Sequence, residues 1–344
     1  MADTVRIGLI GCGGNMGGHV NRLLPKSEVA IVGMADPSDQ SIERLRTRFP
    51  VLNDVPTFAN YNDMLREVRP DAVEISTPHS LHYEQIMTSL AAGCHVLVEK
   101  PMVLHAREAR DVIRAADETG KVVLVSYQRH LQPVFRYMRD VIRAGTIGEI
   151  RFVQALQNQN WYRNQKAANR WRIHPELSGG GQLNDSGSHL LDILLHVSGL
   201  SAESVYCVQE NFDLTVDVNS ALTISFTNGA IGSWAVVGDG PCIGGSVWED
   251  ITFYGSEGAL FYRMMGGILD QAPKLEMRVH AGDQALPLGE LPPASDPDTN
   301  FLDAVLGRGV VEAPPSCGLR VAELTEAAWL SAQRRLPVRI SEVD

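Results

Sequence analysis

The sequence predicts an α/β plus α+β protein: a doubly wound parallel sheet at the N-terminus, then a domain built mainly on antiparallel sheet. Three observations carry this. Short unbroken apolar runs alternate with helical patterns as far as residue 128, as a parallel sheet covered on both faces requires. Hairpin turns and longer strand patterns replace them from residue 129. The composition, 44% hydrophobic and 21% charged over 344 residues, suffices for two ordinary cores. The expected division is therefore 1–128 and 129–344.

In chain order, residues 5–10 form an apolar run that ends in a glycine cluster, and 15–24 read as a helix stopped by Pro25. A second run, 29–35, ends at Asp36, and 38–48 has helical polar composition. Residues 72–76 are apolar and lead into Thr77-Pro78. A helix over 80–92 closes at Gly93. The strand 95–98 runs into Glu99-Lys100-Pro101, the helix 105–119 stops at Gly120, and 122–125 is the last apolar run.

In the second half, 133–144 reads as a helix and 150–156 begins a long strand. Residues 217–226 and 230–237 flank Asn228-Gly229, a strong hairpin signal. Residues 250–254 and 259–263 flank the turn Gly255-Ser256-Glu257-Gly258. Residues 281–300, rich in Pro, Asp and Gly, read as a surface loop, and 319–332 as a closing helix.

A net charge of −11 offers a nucleic acid no electrostatic support. No stretch reaches the ~18 apolar residues that span a bilayer, and from the residues at the start no secretory leader is expected. Cys12, Cys94, Cys207, Cys242 and Cys317 are scattered without CxxC spacing, as expected of reduced thiols in a cytoplasmic protein.

The chemistry begins at the first strand–helix junction, Gly11-Cys12-Gly13-Gly14-Asn15-Met16-Gly17. Glycines there let backbone approach a pyrophosphate on the helix N-terminus. Asp36 lies 19 residues beyond Gly17, at the end of the second strand. A carboxylate there accepts bonds from the adenosine ribose and repels a 2′-phosphate, so NAD is expected rather than NADP. This is the arrangement of a dinucleotide-binding (Rossmann) domain; helix capping is the plainer role for Asp36. Lys100 sits at the carboxyl end of a strand, where ligands of open α/β sheets gather, and could stabilise developing alkoxide charge. Asn158, Asn160, Trp161 and Tyr162 combine amides with aromatic faces and suit a sugar or polyol. Arg163, Lys166, Arg170 and Arg172 leave room for a sugar acid.

Taken together, these segments resemble the Gfo/Idh/MocA oxidoreductases (glucose–fructose oxidoreductase, inositol dehydrogenase and rhizopine catabolism). The resemblance runs nearly end to end. It is carried by Ala35-Asp36-Pro37, by Thr77-Pro78 with His82, and by Gly93 through Glu99-Lys100-Pro101. It continues through Gly145 with Gly148, Trp171-Arg172, and Gly179-Gly180-Gly181 to Asp185, Gly187, His189 and Asp192, and closes over 327–338. The glycine loop is one residue longer than GxGxxG, which leaves open which glycine faces the phosphates.

The resemblance implies a catalytic trio of Lys100, Asp185 and His189, with a cis Lys100–Pro101 bond. It places Gly11, Gly13, Gly14, Asn15, Met16, Asp36, Thr77, Pro78, His82, Glu99, Lys100, Trp171 and Arg172 at the cofactor. Arg129 joins Lys100, Asp185, His189 and the amide–aromatic group at the substrate. Four-residue spacing sets Asp185 and His189 on one face of a helix that runs to Gly199, and the triple glycine before them allows close approach to substrate or cofactor. N-capping by Asp185 and ordinary burial of His189 are the plainer alternatives. His189, Asp192 and His196 share a helical stripe, but it spans ~10 Å, too far for one ion, so no metal is expected.

The expected activity is hydride transfer between nicotinamide and a secondary alcohol of a sugar, inositol or derivative, in a homodimer or homotetramer. Two alternatives are a glycosidase-like enzyme that oxidises its substrate transiently with retained NAD, and a non-catalytic dinucleotide-binding regulator. The presence of all three of Lys100, Asp185 and His189 argues against the regulator.

Overall fold

The computed structural model describes residues 4–241, 247–266 and 274–343. Cys242 lies outside them. The chain forms two compact units, residues 1–131 with 295–319, and 132–294 with 320–344. The first unit therefore recovers a segment from far down the chain, which the sequence reading leaves in the second domain.

The first unit holds strands β1 (Val5–Ile10), β2 (Val29–Ala35), β3 (Thr57–Phe58), β4 (Ala72–Ile75), β5 (His95–Val98) and β6 (Val123–Val125). They form one sheet in the order β3-β2-β1-β4-β5-β6, parallel throughout. This is the doubly wound dinucleotide-binding order, in which the chain reverses direction between β1 and β4. Helices α1 (Met16–Leu23), α2 (Asp39–Arg48), α3 (Tyr61–Val68), α4 (His82–Ala91) and α5 (Ala106–Thr119) alternate with the strands.

β3 and α3 lie in a stretch from which the sequence pattern alone predicts no element. α3 is held from both ends. Asn60 caps its start, accepting the Asn62 N–H at 2.9 Å, and Arg6 donates to the terminal carbonyls of Val68 and Arg69 at 2.7 and 2.6 Å. Met64 seats the helix on glycines of β1 and β2: a Cβ on Gly8 would come within 2.9 Å of Met64 Cε, and one on Gly33 within 3.0 Å of its Cγ. A helix from the returning segment, Pro297–Val305, closes the core by packing Phe301 and Leu302 against Leu9, Val20 and Leu97.

The second unit is built on nine strands: β7 (Ile150–Gln159), β8 (Ala202–Glu210), β9 (Asn219–Phe226), β10 (Ile231–Val237), β11 (Val247–Gly255), β12 (Gly258–Met265), β13 (Lys274–Ala281), β14 (Gln284–Leu286) and β15 (Val338–Arg339). Their order is β14-β13-β12-β11-β7-β10-β9-β8-β15, antiparallel except for β7 with β10. Both expected hairpins form, β9 with β10 and β11 with β12. Helices α6 (Pro133–Arg143), α7 (Trp161–Ala167), α8 (Pro175–Ser178) and α9 (Gly187–Ser198) belong to this unit. The returning helix Pro297–Val305 is α10, and Pro315–Arg334 is α11. Val153, Ala155 and Gln157 turn one face of β7 inward, while Arg151 and Gln154 face out.

Residues 281–300 are not loop throughout, since they contain β14 and the start of α10. Asp296 caps α10, accepting the Thr299 N–H at 2.9 Å, with Pro297 at the first helical position. A cap followed by proline starts a helix, and the same residues raise the turn score of the stretch. Cys12, Cys94 and Cys207 are buried free thiols, and Cys317 is buried too. Burial pushes Cys12 and Cys207 up to about 12 and Cys94 to about 11, which makes them poor nucleophiles. Among the described residues no helix is long and apolar enough to cross a membrane.

Candidate active site

In the first unit the glycine loop divides into a closed and an open part. Gly11 has φ +85°, and a Cβ there would lie 2.5 Å from the Ser76 carbonyl oxygen, so only glycine fits between β1 and β4. At Gly13 and Gly14 a Cβ would meet nothing within 4 Å. Asn15 makes no side-chain cap at the start of α1, so the first-turn N–H groups have no side-chain acceptor from that residue. This open turn and the helix start without a side-chain cap are the residues that could hold a pyrophosphate. Met16 is buried beneath the turn.

Asp36 follows β2 and ties this loop down. Its carboxylate accepts the Cys12 N–H at 2.7 Å and the Ser38 N–H at 2.8 Å. The cap of α2 is Ser38, not Asp36.

Thr77 donates to Gln85 Oε1 at 2.6 Å, and Pro78 precedes a short 3-10 turn. His82 is fully buried between the carbonyls of Pro101 (2.8 Å) and Thr77 (3.0 Å). Burial lowers its pKa. It is a strut between the end of β4 and the turn after β5. The Lys100–Pro101 bond in that turn is cis, as expected. Lys100 is largely buried, and its N–H donates to Glu99 Oε2 at 3.2 Å. Arg129 is half-buried in the 3-10 helix Gln128–Leu131.

In the second unit the site residues converge from three segments. Asp185 is buried, and its carboxylate accepts Trp161 Nε1–H at 2.8 Å from α7 and pairs with Arg172 Nε at 2.9 Å. Arg172 also lies over the Trp171 ring at 4.4 Å. Trp171 and Arg172, expected at the cofactor, thus form one cluster with Asp185 and Trp161. Asp185 does not share a helix face with His189. It sits in the turn before α9, whose first residue is Gly187, while half-buried His189 is in the first turn of that helix.

The triple glycine has another role than the expected approach to ligand. A Cβ on Gly181 would lie 1.8 Å from the Asp217 carbonyl oxygen, and one on Gly180 would lie 2.2 Å from the Trp329 ring. The buried Asp217 carboxylate accepts the N–H groups of Gly181 (3.0 Å) and Leu183 (2.7 Å). It thereby anchors the turn that carries Asp185.

Asn160 and Tyr162 flank Trp161 at the start of α7, which is a helix and not an extension of the strand. Tyr162 hydroxyl and Lys166 both bond Asp213 on the exposed side. Carboxamides gather at this end of β7. Gln157 donates to Glu249 at 2.8 Å, Asn158 to the Pro241 carbonyl at 3.2 Å, and Gln182 to Gln159 at 3.3 Å. The carbonyl oxygens of Gln157, Asn158, Asn160, Gln165 and Gln182 are buried without a hydrogen-bond donor. Gln157, Gln165 and Gln182 carry no motif that sequence reading could single out.

Residues 5–127 match the family model described as "Oxidoreductase family, NAD-binding Rossmann fold", and residues 135–261 match the "GFO/IDH/MocA C-terminal domain". The chain belongs to the Gfo/Idh/MocA oxidoreductase family. It is 29% identical to scyllo-inositol 2-dehydrogenase (NADP(+)) IolW of Bacillus subtilis over 236 residues, 65% of this chain and 63% of that protein. It is 27% identical to D-glucoside 3-dehydrogenase of Escherichia coli over 204 residues, 58% of this chain and 56% of that protein. The matched region thus spans less than two thirds of either relative. In fold, the chain resembles aldose-aldose oxidoreductase of Caulobacter crescentus, with a TM-score of 0.81 at 19% identity, covering 98% of this chain and 99% of that one.

Proposed function

We propose that this protein is an NAD-dependent dehydrogenase acting on a secondary alcohol of a neutral polyhydroxylated substrate, a sugar, inositol or glycoside. The observation that carries the substrate class is the gathering of the carboxamides Gln157, Asn158, Asn160, Gln165 and Gln182 with the rings of Trp161 and Tyr162 around the end of β7 and the start of α7. Amides exchange hydrogen bonds with hydroxyls, and flat rings accept the C–H faces of a polyol. The nearby cations Arg172 and Lys166 are already paired with Asp185 and Asp213. The names of the two curated relatives, an inositol and a glucoside dehydrogenase, agree with this class.

Gly13, Gly14 and the start of α1 would hold the pyrophosphate, and Asp36 the adenosine ribose. Bound NAD supplies the hydride acceptor. Lys100 donates a hydrogen bond to the reacting oxygen and offsets its growing negative charge. His189 takes the hydroxyl proton, which imidazole can accept near neutral pH. Asp185, held by Trp161 and Arg172, supports the end of the site from which α9 starts.

Absorbance at 340 nm with NAD+ and NADP+ against scyllo-inositol, myo-inositol, D-glucose, methyl glucosides and D-glucuronate tests this reading. Turnover of neutral polyols with NAD+ is expected. D-glucuronate as the best substrate would overturn the substrate class, and equal use of NADP+ would overturn the role given to Asp36. Glycoside cleavage without net NADH would identify transient oxidation followed by elimination.

A further inference from the structure

Behind the glycine loop, His19 of α1 is 1% exposed and lies between two carboxylates. Its Nδ1 is 2.9 Å from Asp298 Oδ1 of α10, and its Nε2 is 3.1 Å from Glu99 Oε1. Neutral imidazole has one N–H, so one of these contacts would set lone pair against lone pair. Only imidazolium donates to both. Glu74 of β4 adds a third carboxyl, 3.7 Å from Nδ1 and completely buried. Arg22 holds the other oxygen of Asp298. Its Nη2 also lies 3.2 Å from Nδ1, but the shorter contact to a carboxylate decides the proton's place in favour of a donating Nδ1. Burial opposes charge on His19, yet the bonds to Asp298 and Glu99 outweigh it and raise the pKa well above the usual imidazole value.

Glu99 carries this arrangement forward. The oxygen that meets His19 also accepts from Ser126 Oγ at 3.4 Å, and its second oxygen accepts the Lys100 N–H at 3.2 Å. One carboxylate therefore links a buried cation on the glycine-loop helix to the backbone of Lys100.

We infer that His19 is a positioning residue, a buried imidazolium that fixes Glu99 and thereby the backbone from which Lys100 reaches the reacting alcohol. The functional part of this inference rests on the role proposed above for Lys100, whereas the charge state of His19 does not. α1 then has two tasks, holding the glycine turn at its N-terminus and the Lys100 turn one helical turn further on. Loss of the His19 proton leaves two carboxylates facing a ring that can satisfy only one, and the Glu99–Lys100 turn loosens.

The test uses the full chain and has two arms. In the first, nitrogen-15 NMR of labelled histidine, assigned by the peak missing in His19→Gln, should show both His19 ring nitrogens protonated at pH 7.5. Glu99→Gln, which leaves His19 in place, should return the ring to its neutral form at that pH. In nitrogen-15-lysine protein the Lys100 amide should shift in His19→Gln while those of Lys121 and Lys166 stay unchanged. A neutral His19 ring in the wild type, or an unmoved Lys100 amide, overturns the inference. In the second arm, rates of NAD+ reduction with myo-inositol or another neutral polyol that is turned over are followed against pH. His19→Gln should lower kcat by about 10- to 100-fold, the usual effect of a small misplacement. KM for NAD+ should stay within about threefold, and one alkaline ionisation should vanish from the profile. An unchanged profile overturns the positioning role. Should the wild type oxidise no polyol, the proposed function fails, and the NMR arm still decides the state of His19 and its reach to Lys100.

Discussion

At Gly181 one methyl group is decisive. A Cβ 1.8 Å from the Asp217 carbonyl oxygen meets backbone, which cannot rotate away. Gly181→Ala should therefore displace the 181–185 turn and cost about 1–3 kcal/mol, as overpacking does, read as a lowered melting temperature by calorimetry. An unchanged melting temperature would show that the turn yields freely. His189 raises the complementary chemical question. His189→Ala should reduce turnover about 10²–10⁴-fold with little change in NADH affinity, measured by steady-state rates and by titration of NADH fluorescence. Near-normal turnover would pass the base role to another group. The types and order of Lys100, Asp185 and His189 were legible in the sequence because the family pattern runs through them. The partners of Asp185 were not, since Trp161 and Arg172 reach it from segments that only the tertiary fold brings together. His19 was silent for the same reason: its carboxylates come from β4, the end of β5 and α10.

At the scale of elements, five of the six parallel strands were readable because each is a mainly apolar run bounded by turn residues, whereas β3, only Thr57–Phe58, is too short to show one. α3 carries its apolar residues at Tyr61, Met64, Leu65 and Val68, a short stripe whose meaning depends on the glycine seat at Gly8 and Gly33. The meeting of α1, β4, β5 and α10 makes a prediction about pH. Burial, with Asp298 beside it, pushes Glu74 up to about 8 from the usual 4.5, and His19 is also raised above its usual value. Between pH 4.5 and 8 the unfolded chain has released the Glu74 proton while the folded chain keeps it. The contribution of His19 is complete below pH 6.5 and is lost as pH rises through its higher folded value. Both groups make folding take up protons, so stability falls as pH rises through this window. Melting temperatures should drop on the order of 5 °C between pH 6 and pH 9. Glu74→Gln, which mimics the protonated carboxyl, should flatten that slope in thermal scans. A slope equal to that of the wild type would place the proton uptake elsewhere.

At the scale of the whole molecule, the nine-stranded sheet has two unlike faces. β9 alternates buried and outward residues along its length, as a sheet packed on one side does. The outward face is not simply polar. Phe152, Tyr254, Phe261 and His280 form a ladder across four strands, with successive ring centroids 6.2, 6.0 and 5.7 Å apart. Ile231 of β10, 47% exposed, stands beside Phe152, and Tyr206, 40%, and Val208, 57%, lie further along the same face on β8. Exposed apolar side chains gathered on one sheet face are what an association surface would use. A second copy of the same face is the occupant proposed here, because a two-fold pairing matches a surface to itself. A standard interface buries about 1,600 Å² in total, which a sheet of nine strands can supply. Sedimentation velocity at micromolar concentration should therefore show a dimer or tetramer of the 37.6 kDa chain. Tyr254→Lys combined with Val208→Lys puts two like charges on the face and should shift the protein toward monomer while far-ultraviolet circular dichroism stays the same. A wild-type chain that sediments as a monomer would refute the pairing. So would a double variant that keeps its oligomeric state, since the contact would then have to lie on another surface.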